Sequence, residues 1–115
     1  MFASKRFKND SGFSAGTTTL IAAGTRVAGD ISFTGNLELE GEVIGNISAE
    51  GAQSRVRVLQ SGTVSGDITV ATIIVNGHVK GDLHANELVE LAAKAVVEGD
   101  LHYNLIGIEK GAEVV

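Results

Sequence analysis

The 115-residue chain has no cysteine, no proline and no tryptophan, and only one Tyr and four Phe. The lack of Cys excludes a disulfide scaffold, a thiolate metal centre and a cysteine nucleophile, and it is compatible with a reducing compartment. The lack of Pro excludes collagen and proline-rich disorder. Phe2, Phe7 and Phe13 precede residue 14, so the core of the remaining chain must come from Val, Ile, Leu and Ala. No apolar run approaches the roughly 18 residues needed for a membrane-spanning helix. Basic residues at the start are not followed by the apolar stretch of about 7–15 residues that marks a secretory signal peptide. Phe at position 2 excludes N-myristoylation. Phosphate-loop, dinucleotide, zinc-protease and serine-hydrolase motifs are all missing. No enzyme activity, nucleotide or other cofactor is therefore expected, and the expected compartment is cytoplasmic.

Charge of one sign is also scarce by region. The net charge is −5. Residues 1–18 carry Lys5, Arg6 and Lys8 against Asp10, whereas residues 19–115 carry 6 basic and 13 acidic groups. An acidic body lacks the basic stripe that nucleic-acid binding requires, so no nucleic-acid partner is expected.

Glycine is abundant, with 15 residues, and it recurs in order. The pattern Val-x-Gly-[Asp/Asn]-[Ile/Leu] occurs at Val27, Val43, Val64, Val79 and Val97, and a sixth copy begins at Val114. The Val-to-Val spacings are 16, 21, 15, 18 and 17. Alternating pairs precede each copy: Thr19/Ile21, Leu37/Leu39, Val56/Val58, Ile73/Val75, Val89/Leu91 and Ile106/Ile108. A further inward position follows each copy, at Phe33, Ala49, Val70, Ala85 and Tyr103. Period-two alternation predicts strands, three short ones per repeat. Leu88–Val97 favours helix by propensity, but its register with the other repeats predicts strand-turn-strand.

Three short strands in about 17 residues cannot bury a core alone, but stacked coils can. The sequence therefore predicts an all-β parallel β-solenoid over residues 19–115, with five full rungs and one partial rung. Residues 1–18 are expected to form a separate flexible tail. Gly29, Gly45, Gly66, Gly81 and Gly99 are expected at a corner where a side chain would crowd the core. Gly24, Gly41, Gly62, Gly77 and Gly111 are expected in turns with positive φ. Residues 50–55, an excess in the longest repeat, are expected to bulge as a corner loop. Phe33 and Tyr103 should plug the two ends of one inward column.

Among groups that could carry chemistry, His84 and His102 both follow Gly-Asp-Leu and should stack outward on adjacent rungs. They read as surface histidines, with no metal site assigned. Asp30, Asn46, Asp67, Asp82 and Asp100 should form a second outward column of turn residues that satisfy backbone groups. Met1, Phe2, Lys5, Arg6, Phe7 and Lys8 mix apolar groups with cations, as a segment lying on an anionic membrane surface would. An uncapped solenoid end exposes unpaired strands and apolar cross-section, which template self-association. Leu20, Ile21, Ile106, Ile108 and Val114 are the expected end contacts.

These rungs, with the Gly-x-Val turns between them and the Met1-Phe2-x-x-Lys5 start, resemble the bactofilins, a family of bacterial cytoskeletal proteins. The resemblance covers Thr19–Val115 and the tail. It implies a right-handed parallel β-helix and nucleotide-independent, end-to-end assembly into non-polar filaments. It further implies a scaffold at the cytoplasmic face of the inner membrane, with client proteins that the sequence does not identify. Two features depart from the family pattern: there is no Pro in the flanks, and Val115 falls in mid-rung, which bears on assembly at that end. The competing reading is a left-handed β-helix acyltransferase of the hexapeptide type. No six-residue frame of aliphatic positions persists here.

Overall fold

The computed structural model describes residues 18–115. All regular structure among them is strand, in fifteen segments. Every strand pairing is parallel.

Each coil supplies one strand to each of three faces. The first face stacks β2 (Arg26–Ala28), β5 (Glu42–Ile44), β8 (Thr63–Ser65), β10 (His78–Lys80), β12 (Val96–Glu98) and β15 (Glu113–Val114). The second stacks β3 (Ile31–Phe33), β6 (Ile47–Ala49), the first part of β9 (Ile68–Val75), the first part of β11 (Leu83–Leu91), and β13 (Leu101–His102). The third stacks β1 (Thr18–Ile21), β4 (Asn36–Leu39), β7 (Arg55–Val58), the remainder of β9 and β11, and β14 (Leu105–Ile108). β9 and β11 run through the corner between the second and third faces and so join them into one sheet.

The register follows the repeat. Val27, Val43, Val64, Val79, Val97 and Val114 lie in one column across successive strands. The alternating pairs form two more columns, in which Leu37, Leu39, Val56, Val58, Ile73, Val75, Val89 and Leu91 are all buried. β-branched residues suit this setting because they pack well on a pleated surface. Burial of each such side chain contributes about 1.5–3 kcal/mol. Leu88–Val97 is strand-turn-strand, because its Val and Leu positions continue these columns.

The corner glycines hold their expected column, but the constraint acts along the rod and not toward its core. Gly45, Gly66, Gly81 and Gly99 have φ between +146° and +150°. A Cβ on any of them would strike the carbonyl of the corner glycine one rung below. Gly29, on the first rung, has φ +132° and nothing within 4 Å of such a Cβ.

The second glycine set is two columns, not one. Gly24 and Gly111 adopt positive φ within four-residue turns. Gly41, Gly62 and Gly77 do not; they are buried where a Cβ would meet backbone carbonyls of the preceding coil, at 2.6 Å from Ala22 O for Gly41 and 2.5 Å from Leu39 O for Gly62. Ala95 occupies the equivalent place two residues before Val97 and is fully buried.

Two other expectations need correction. Phe33 packs half-buried against the core, but Tyr103 lies past the end of β13 and is 49% exposed, so it does not plug the rod. The residue 50–55 excess does form a loop at Glu50–Gln53, yet Ser54 is buried and Arg55 already belongs to β7. Ser54 Oγ donates to the Gly51 carbonyl (2.9 Å) and accepts from the Ala71 N–H (3.0 Å). The loop is thus fastened to the rung above it.

Gly66→Val should lower stability by about 3 kcal/mol, from backbone strain and the clash below. Gly29→Val carries strain alone, about 1–2 kcal/mol. Thermal unfolding should show the larger fall for Gly66→Val; equal falls would show that the rung below is not the constraint.

Candidate functional site at the corner ladder and rod ends

The corner after each glycine carries a polar ladder. Asp30 Oδ1 accepts the Asn46 N–H at 2.9 Å. Asn46 Oδ1 accepts from Asp67, Asp67 Oδ1 from Asp82, and Asp82 Oδ1 from Asp100, each at 3.0 Å. Each side chain therefore satisfies a backbone donor of the next coil, and these backbone bonds oppose the mutual repulsion of the acidic groups. Asn46 serves as well as Asp because its carbonyl oxygen offers the same acceptor.

The histidines fall in two places. His84 and His102 pair in register on β11 and β13, and their rings stack with centroids 4.5 Å apart and planes within 5°. His78 lies on the first face, where its Nε2 is 2.6 Å from Glu98 Oε2. Exposed ion pairs Arg26–Glu42 (3.6 Å) and Arg57–Glu38 (3.9 Å) also link adjacent coils. Pairs of this kind contribute little in water.

At the first rung Ile21 is buried, 8% exposed, and Leu20 beside it points outward and is exposed. At the sixth rung Ile106 is half-buried against the core, whereas Ile108 and Val114 are 58% and 46% exposed despite lying in inward columns. Leu105 and Val115 extend this apolar surface. Sequence reasoning missed them because Leu105 occupies an outward register position and Val115 lies beyond the Val column. Met1, Phe2, Lys5, Arg6, Phe7 and Lys8 lie outside the described residues.

What the described residues offer is a stack of parallel coils with apolar columns running to the sixth rung. The bactofilin family, described as polymer-forming and cytoskeletal, matches residues 19–115. The chain belongs to the bactofilin family. A curated relative, Bactofilin BacO of Myxococcus xanthus (strain DK1622), is 33% identical over 94 residues, covering 82% of this chain and 72% of the relative. No solved structure matches. The family match is to a cytoskeletal family and not to the hexapeptide acyltransferases.

Asp67→Ala should cost about 1 kcal/mol, because it leaves the Asp82 N–H without its acceptor. Asp67→Asn should be nearly neutral. Urea unfolding of the two variants checks this, and equal losses would remove the ladder's role.

Proposed function

We propose that this bactofilin is a scaffold that assembles end to end, without nucleotide, into non-polar filaments at the cytoplasmic face of the inner membrane. The observation that carries the reading is the sixth rung, where inward Ile108 and Val114 remain exposed beside open strand edges. Such an edge templates pairing with a second chain, and the aliphatic cross-section adds hydrophobic gain. Family membership supports the same reading.

The membrane contact falls to the tail. Phe2 and Phe7 enter the headgroup boundary, while Lys5, Arg6 and Lys8 each add about 1 kcal/mol near anionic lipid. One such tail binds weakly, but a polymer displays many and binds by avidity. The filament thus serves cell shape or recruits envelope proteins along the membrane.

Negative-stain microscopy of the pure protein without nucleotide should show filaments, and Ile108→Lys should shift most protein from the sedimenting to the soluble fraction. A monodisperse wild-type monomer overturns the assembly reading. Co-sedimentation with anionic vesicles should be lost on deletion of residues 1–8; equal binding of both forms overturns the membrane reading.

A further inference from the structure

We propose that Asp67, Asp82 and His84 form a binding site for one divalent transition-metal ion of the zinc type, joining the third coil to the fourth. One ligand atom from each residue lies within 4.8 Å of the others. The two aspartates occupy successive steps of the corner ladder, and His84 stands two residues beyond Asp82 on the outward side of β11.

Each carboxylate is anchored by one oxygen. Asp67 Oδ1 is held by the Asp82 N–H and Asp82 Oδ1 by the Asp100 N–H, each at 3.0 Å. The second oxygen of each carboxylate makes no hydrogen bond among the described residues. Outer-shell bonds of this kind orient metal ligands and tune their affinity. The imidazole is held separately, by its flat stack on His102. That contact uses the faces of the rings and leaves their nitrogen edges open.

The donor set selects the ion. Two carboxylate oxygens, one imidazole nitrogen and water suit a borderline transition ion, whereas calcium and magnesium prefer oxygen alone. Metal bonds of about 2.0–2.2 Å require the three groups to close by roughly 1 Å, which side-chain rotation supplies. The other corners lack either the histidine or the convergence. Asp30 and Asn46 have Ser32 and Ser48 at the position of His84. Asp82, Asp100 and His102 repeat the three residue types one coil higher, but only Asp67, Asp82 and His84 converge within 4.8 Å among the described residues.

The test uses the full chain at pH 7.5. Zn²⁺ titration by calorimetry, with Co²⁺ absorption as the coordination signature, should give one ion per chain. His84→Ala and Asp67→Asn should each weaken binding at least tenfold, whereas Asp100→Asn and His78→Gln should not. Asp67→Asn keeps the ladder acceptor, so its loss of binding separates ligation from folding. Zn²⁺ should raise the thermal midpoint of the wild type and leave that of His84→Ala unmoved. Absence of Zn²⁺ binding at millimolar concentration overturns the proposal. So does binding that survives both ligand variants or is lost with His78→Gln, and so does displacement by equimolar Ca²⁺ or Mg²⁺.

Discussion

The parallel backbone register between successive coils is the constraint on which the rest of the molecule depends. Strands about 4.8 Å apart place every residue over its equivalent in the coil below. The Val column, the paired aliphatic columns and the polar corner column are all products of that stacking. The corner glycines belong to the same cause, because a Cβ there would occupy the space of the carbonyl below. A coil can change length between its strands without disturbing the register. The four-residue turn at Leu59–Gly62 and the two-residue turn at Asn76–Gly77 feed the same face.

Much of this was legible in the sequence, since a solenoid repeats its local chemistry. The Val-x-Gly-[Asp/Asn]-[Ile/Leu] spacing located the strands, the columns and the His84–His102 pair, because each of these depends on position within a coil. What was not legible depends on the third dimension. The glycine clash lies along the axis, and nothing in one coil shows the carbonyl of another. Gly24 and Gly41 look alike as glycines before a Val, yet one is a positive-φ turn residue and the other a close approach. Ser54 looks like an ordinary loop serine until its hydroxyl is found bridging Gly51 and Ala71. Tyr103 sits in an inward column whose strand has already ended.

The candidate sites divide in the same way. Exposed Ile108 and Val114 were readable as the end of a repeat, whereas Leu105 and Val115 were not. The convergence of Asp67, Asp82 and His84 was not, because it needs the exact step between two corners of unequal sequence spacing. The family relationship adds what the coil cannot supply, namely that such a stack is a polymer-forming cytoskeletal element.

The corner ladder also gives the rod a sense of direction. In every step the lower coil supplies the acceptor and the upper coil the donor. Turned end for end, the rod offers the opposite partner. Rods meeting head to tail could carry this bonding across a joint, and rods meeting by like ends could not. In the non-polar filament proposed above, cohesion at the joints would therefore rest on the aliphatic end faces, and the corner bonds would confine their cooperativity to single subunits.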